Sequence, residues 1–166
     1  MSIYLKKITN DIGDLEYLMY QEIPYLENGA LNEFNRVTLD SFYKLVDRRV
    51  KEEYLKLDEI NNPRISYILY DNDYPVGEVC IRPVLNDYYK KNSGNIGYKI
   101  RPSKRNLGYG NKILSLALDE CKKLNMREVI LQCYDYNKYS IKVIKNNNGK
   151  LIFKDNDVEI YMIEFS

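Results

Sequence analysis

Apolar residues along this chain recur with a period that switches between two and about three and a half, and each switch marks an element. Residues 3–8 read as a short first strand. Asn10 is placed to cap a helix whose apolar positions Ile12, Leu15, Leu18, Met19 and Ile23 have helical spacing, with Pro24 ending it. Residues 27–37 are loop-like, and Asn28-Gly29 is a turn signal. Thr38 caps a second helix with Leu39, Phe42, Val46, Val50 and Tyr54 on one face, closed by Asn61-Asn62-Pro63. A hairpin follows: Ile65 to Tyr70, the turn Asp71-Asn72-Asp73, and Val76 to Arg82. Residues 83–94 are a polar loop containing Tyr88 and Tyr89, and a strand runs over 95–101.

The second half repeats the alternation. A helix over 108–124 packs Ile113, Leu114, Ala117, Cys121 and Leu124 on one face, and Lys122 and Lys123 suit its negative C-terminal end. Glu128 to Cys133 forms a strand with Val129, Leu131 and Cys133 to one side. Asn137 or Asp135 starts a short helix carrying Ile141, Val143 and Ile144, stopped by Asn148-Gly149. Leu151 to Phe153 and Val158 to Phe165 pair as a last hairpin. The order β-α-α-β-β-β-α-β-α-β-β predicts an α/β sheet of mixed direction. Its early strands are antiparallel, and a strand–helix–strand unit in the second half favours one parallel pair. No linker composition interrupts it, so residues 1–166 are expected to be one domain.

One stretch stands out for chemistry. Arg101-Pro102-Ser103-Lys104-Arg105-Asn106-Leu107-Gly108-Tyr109-Gly110 lies between a strand and an amphipathic helix. The first N–H groups of a helix have no internal partner and point outward. With the helix dipole they make an anion site suited to phosphate. Arg105 can add a charge-assisted contact, and Gly108 and Gly110 let backbone approach a ligand. The competing reading is a plain turn with a surface cation.

Composition narrows the chemistry further. Lys and Arg number 25 against 24 Asp and Glu, so no electrostatic case exists for nucleic acid or an anionic membrane as main partner. No run approaches the roughly 18 apolar residues of a membrane span, and Met1 to Lys7 lacks the apolar core of a signal peptide. Three cysteines, Cys80, Cys121 and Cys133, have no metal-like spacing and fit a reducing cytoplasm. The chain has no His, which removes the commonest general base, the Ser-His and Cys-His pairings and most zinc sites; no metal is expected. A nucleotide-binding phosphate loop would need Lys-Ser/Thr where Gly110-Asn111-Lys112-Ile113 stands.

Arg105-Asn106-Leu107-Gly108-Tyr109-Gly110 fits R/Q-x-x-G-x-G/A, and this segment resembles the acetyl-CoA signature of the GNAT superfamily of N-acetyltransferases. Asn137-Lys138-Tyr139-Ser140 is similar to the Asn-x-x-Ala/Ser start of that superfamily's second cofactor helix. Gly94 to Ser103 and Asn137 to Gly149 resemble a bacterial branch of predicted acetyltransferases, and the element order of the whole chain matches. The resemblance implies the acyl-CoA N-acyltransferase fold. Its central sheet is mostly antiparallel, has about seven strands flanked by helices, and splays between the fourth (95–101) and fifth (128–133). It also implies acetyl-CoA as co-substrate. The backbone of Ile100, Arg101 and Pro102 would bond the pantetheine arm. N–H groups over Arg105, Asn106, Leu107, Gly108, Tyr109 and Gly110 would hold the pyrophosphate, and Asn137 and Ser140 would contact the cofactor from the other side. The partners implied are acetyl-CoA and an amine-bearing acceptor, small molecule or peptide, with no nucleic acid and no membrane; a homodimer stays open.

Direct acetyl transfer to a primary amine needs an acceptor for the amine's proton and a donor to the leaving thiolate. Glu78 is the candidate base, on one strand face with Cys80 and Arg82; the competing reading is an ion pair with Arg82 or Arg101. Many members of the superfamily place a Tyr acid where this chain has Ile144, so Tyr139 is the substitute candidate. The alternative to an enzyme is a non-catalytic acyl-CoA-binding or sensing module of the same fold. Tyr17, Tyr20, Tyr25, Tyr88 and Tyr89 fall in regions expected to flank the acceptor pocket.

Overall fold

The computed structural model describes residues 2–166. Strand β1 (Ile3–Lys7) leads into helix α1 (Asp14–Glu22). The two-residue strands β2 (Leu26–Glu27) and β3 (Ala30–Leu31) precede helix α2 (Leu39–Lys51). Then come β4 (Ile65–Asp71), β5 (Tyr74–Ile81), the short helix α3 (Asp87–Asn92) and β6 (Ile96–Ile100). Helix α4 (Tyr109–Lys123), β7 (Glu128–Tyr134), α5 (Lys138–Asn146), β8 (Lys150–Asp155) and β9 (Val158–Glu164) complete the chain.

Two sheets form, in the orders β1-β4-β5-β6 and β7-β9-β8, every ladder antiparallel. Leaving aside the β2–β3 hairpin, these are the seven expected strands. The parallel contact expected between residues 95–101 and 128–133 does not become a ladder. β6 and β7 meet only at a bridge between Gly94 and Leu131, reinforced by the Asn95 N–H donating to the Ile130 carbonyl at 2.7 Å. Beyond that point the strands diverge, as the resemblance implied.

The hairpins follow their turn chemistry. Asn72 and Asp73 have φ of 47° and 68°, and Asn28-Gly29 has 50° and 75°. Both pairs supply the left-handed conformations that a two-residue turn needs to match strand twist. β4 is buried on both faces and sorts its side chains by alternation. Tyr67 and Leu69 join a core with Ile113, Leu114 and Ala117 of α4, whereas Ile68 and Tyr70 join Met19, Tyr20, Phe34, Phe42 and Val46 beneath α1 and α2. The first sheet therefore lies between two helical layers. Each fully buried Leu, Ile or Phe in these cores stabilises the fold by about 2 kcal/mol.

Two helix starts depart from expectation. Asn10 does not cap α1; Gly13 does, its N–H donating to the Glu16 carboxylate at 2.8 Å, and Leu15 and Leu18 are about half exposed. The helix turns Met19 and Tyr20 inward instead, because the aromatic cluster around Phe34 and Phe42 packs there. Within the polar loop 83–94, Asn86 accepts from the Tyr89 N–H and starts α3. Six residues with one weak stripe gave no periodic signal.

Candidate functional site

The gap between β6 and β7 opens into two connected cavities. The larger, about 390 Å³, is lined by β5, β6, β7, the end of α1 and the start of α5. The smaller, about 280 Å³, runs along Ile100, Arg105 and Asn106 to Tyr139. They share Glu27, Asn28, Tyr98, Lys99, Asn137 and Ser140.

The edge of β6 explains the gap. The Arg101 N–H donates to the Val76 carbonyl at 3.0 Å, toward β5. Antiparallel alternation then turns the backbone groups of Tyr98 and Ile100 away from β5, toward the gap. Such edge groups need partners, and β7 does not supply them. The Ile100 carbonyl already accepts from Arg105 Nε at 3.0 Å. The Arg101 side chain is buried facing away from the cavity, donating to Glu22 (2.6 Å) and to the Pro75 carbonyl (3.1 Å) and lying over the Tyr74 ring. Glu22 also accepts from the Ser103 N–H, so the end of α1 fixes the turn through Pro102.

After that turn Asn106 (φ +60°) and Gly108 (φ +86°) bend the chain into α4. Gly108 is the N-cap and no side chain caps the helix, leaving the N–H groups of its first turn outward. Leu107 is exposed. Tyr109 donates its hydroxyl to Asp71 and ties the helix start to the sheet. Gly110 has a reason other than ligand approach. A Cβ there would lie 2.7 Å from the Tyr139 hydroxyl and 3.1 Å from Val143 Cγ2, so this glycine is what lets α5 pack on α4. Arg105 folds onto Glu27 at 2.8 Å, an ion pair with both side chains about one-third or more exposed. Asn137 caps α5 through the Ser140 N–H at 3.2 Å and lines both cavities, and the Ser140 hydroxyl meets the Tyr98 hydroxyl at 3.1 Å across the gap.

Glu78 lies on the floor of the larger cavity with Cys80 and Arg82, as alternation predicts. Its partner is neither Arg82 nor Arg101 but Arg49, from α2, at 2.7 Å. Burial opposes its charge, but Arg49 and Lys99 outweigh that and hold the carboxyl at about 2. A carboxylate that weakly basic is a poor proton acceptor at neutral pH, which weighs against Glu78 as the expected base. Tyr139 lines the smaller cavity and sets its hydroxyl against Gly110, beside the start of α4. Ile144 is buried, packed beside Gly149.

Sequence reasoning missed three residues. Arg49 belongs to an amphipathic helix and read as its polar face. Lys99 and Tyr98 lay inside the resemblance without a role of their own. The Tyr98 phenol, at the junction of the cavities, is pushed by burial to about 12 and stays protonated. Cys133 also lines the larger cavity, and burial pushes its thiol to about 11. The expected tyrosines do not line it: Tyr20 is buried in the aromatic cluster, Tyr89 lies under Arg82, and Tyr17, Tyr25 and Tyr88 are elsewhere. Among the described residues no group of three or more His, Cys, Asp or Glu could hold a metal ion, and no helix is long and apolar enough to cross a membrane.

A comparison with curated protein sequences finds no match. Solved structures give the fold. An N-acetyltransferase from Staphylococcus aureus Mu50 superposes with a TM-score of 0.67 at 13% identity over 99% of both chains. The Campylobacter jejuni N-acetyltransferase PseH in complex with acetyl coenzyme A gives 0.62 at 12%, over 99% of this chain and 100% of that one. Mutant forms of the Vibrio cholerae spermidine/spermine N-acetyltransferase SpeG give 0.64 at 16%, over 98% and 95%. The model of the acetyltransferase (GNAT) family matches residues 31–149, a span that contains α4, the gap and Asn137. The chain belongs to the acetyltransferase (GNAT) family.

Proposed function

We propose that the protein is an acetyl-CoA-dependent N-acetyltransferase that moves the acetyl group directly to a primary amine, with residues 1–166 acting as one domain in a reducing cytoplasm. The observation that carries this reading is the unpaired edge of β6, which leads from the larger cavity to the uncapped start of α4. An amide-bearing arm lying along Tyr98 and Ile100, up to the turn at Arg101 and Pro102, would satisfy that edge, the Ile100 carbonyl becoming available as Arg105 moves. N–H groups from Arg105 to Gly110 would hold the pyrophosphate, and Arg105 would leave Glu27 to join them. Asn137 and Ser140 would line the other side of the arm.

The thioester supplies an activated acetyl carbon. The amine nitrogen attacks it, the C–S bond breaks, and the thiolate takes a proton. Tyr98, protonated and bonded to Ser140 at the junction of the cavities, is the donor this geometry favours in place of a residue at 144. The amine's proton leaves through water, since Glu78 is held by Arg49. A thiol kept neutral by burial, such as Cys133, is a weak nucleophile, which favours direct transfer over an acetyl-enzyme.

Calorimetric titration with acetyl-CoA, paired with free-thiol release over peptides, polyamines, aminoglycosides and amino acids, tests this. Micromolar binding with amine-dependent thiol release is expected. Binding without turnover on any amine would favour a sensing module instead, a reading that the absence of a strong base keeps in view.

A further inference from the structure

The larger cavity carries more positive charge than its carboxylates match. Arg49 is paired with Glu33 and Glu78, and Arg64 with Glu52, while Glu27 of the lining is held by Arg105 of the smaller cavity. Arg82 and Lys99 also line the cavity, and among the described residues neither has a carboxylate within ion-pairing distance. Arg82 lies 4.5 Å over the Tyr89 ring and reaches only the Gly94 carbonyl, at 3.4 Å. Lys99 donates to the Leu31 carbonyl at 2.5 Å. Burial disfavours the charged form of both, and Arg64 and Arg49 nearby add to that, while Glu78, opposite Lys99, favours the lysine's charge. An anion in the cavity that reaches either cation would replace its present carbonyl partner and be held by a charge-assisted bond, most strongly at Arg82. The cofactor's own phosphates do not reach Arg82 on the reading above. Arg82 lines only the larger cavity, and the Arg105–Gly110 turn lies at the opposite end of the smaller one.

Building on the acetyl-transfer reading, we infer that the acceptor is a primary amine that also carries an oxyanion, carboxylate or phosphate, bound by Arg82 and Lys99. Polycations are excluded by the same charge.

The test compares matched pairs. Amino acids are assayed against their amides, and phosphoethanolamine against ethanolamine, with spermidine alongside, by thiol release from acetyl-CoA. At least one acid should exceed its amide about 100-fold in kcat/KM, and spermidine should be inactive. Arg82→Gln and Lys99→Met should each raise KM for that acid 10-fold or more, and Arg82→Gln, which lies outside the smaller cavity, should leave acetyl-CoA affinity within 2-fold. Calorimetry of the N-acetylated acids and their amides, with the CoA-saturated protein, gives a readout independent of turnover. Acids binding over amides, with the difference lost in both variants, supports the inference even where transfer fails. The carboxylate and phosphate series separate the two oxyanions. No preference for the acid in any pair, or a preference for spermidine, overturns it, and a protein that fails to bind acetyl-CoA overturns the transfer reading alone.

Discussion

Arg49 and Glu78 face each other at 2.7 Å with both side chains less than a tenth exposed, on elements far apart in the chain. Fully stranding a buried charge costs about 3–5 kcal/mol, whereas replacing both partners with apolar groups is often near neutral. Arg49 keeps Glu33 at 2.7 Å when Glu78 is removed, so the low end applies. Glu78→Ala should therefore lower unfolding free energy in urea by about 3 kcal/mol. The pair Arg49→Met with Glu78→Leu should recover most of it. A Glu78→Ala protein as stable as the parent would mean that the pair does not hold α2 on the sheet.

The same pair sets an acid limit. Glu78 is held at about 2 when folded, against an ordinary value of 4.5. Its folded carboxyl is depressed, so its contribution is complete above about 4.5 and is lost as pH falls through about 2. The difference is worth about 3 kcal/mol. Urea denaturation at pH 7, 4 and 3 should show stability falling below pH 4.5. The double replacement should show a shallower fall.

Gly110 is held by packing on α5. Alanine has the better helix propensity by about 1 kcal/mol, yet its Cβ would meet Tyr139 and Val143. Gly110→Ala should lose about 1–3 kcal/mol by overpacking. Adding Tyr139→Ala should relieve part of the loss. Thermal unfolding of the two variants measures the coupling, and strict additivity would rule out the contact as the cause.

The features legible in the sequence were those with local grammar. The Asn72-Asp73 turn, the Thr38 and Asn137 caps and the helix after Gly108 follow from residues adjacent in the chain. The strand, turn and helix proposed to hold the cofactor were legible for the same reason, following one another in the chain. The charged floor proposed to hold the acceptor was not. Arg49 comes from α2, Glu78 and Arg82 from β5 and the residue just past its end, and Lys99 from β6. The antiparallel register sets Glu78 opposite Lys99, and the packing of α2 on the sheet adds Arg49 to the same floor. What weighs against Glu78 as base, an arginine across the sheet layer, is a contact between distant elements that the sequence could not show.

The exposed Glu27–Arg105 pair is worth at most about 1 kcal/mol. If Arg105 must leave Glu27 to meet the pyrophosphate, Glu27→Gln should tighten acetyl-CoA about 2- to 5-fold by calorimetry at low salt, with the gain shrinking at 0.5 M salt as screening grows. Weaker binding in Glu27→Gln would show that the carboxylate helps the cofactor rather than competing with it.

Gly108 allows a test with matched backbones. Its φ of +86° disfavours any side chain, so Gly108→Asn and Gly108→Asp share a similar conformational cost of about 1 kcal/mol. Only aspartate puts a charge beside the first turn of α4. Acetyl-CoA should bind the Asn variant within about 10-fold of the parent and the Asp variant more than 100-fold more weakly, with both unfolding cooperatively. Equal affinities would remove the anion from this helix start.

Tyr98 is the sharpest test of the chemistry, because its hydroxyl can be deleted without emptying the gap. Burial raises the phenol to about 12, which keeps it protonated at neutral pH but also makes it a weak acid, and the Ser140 hydroxyl lies 3.1 Å from its own. Positioned acids contribute about 10²- to 10⁴-fold, but a thiolate is already a good leaving group, so the low end applies. Tyr98→Phe should lower kcat about 100-fold, leave acetyl-CoA affinity within 3-fold, and abolish any fall of kcat at high pH that the parent shows. Substrates with a more acidic leaving thiol should lose less. An unchanged kcat would return the proton to water and leave Tyr98 as a strut between β6 and α5.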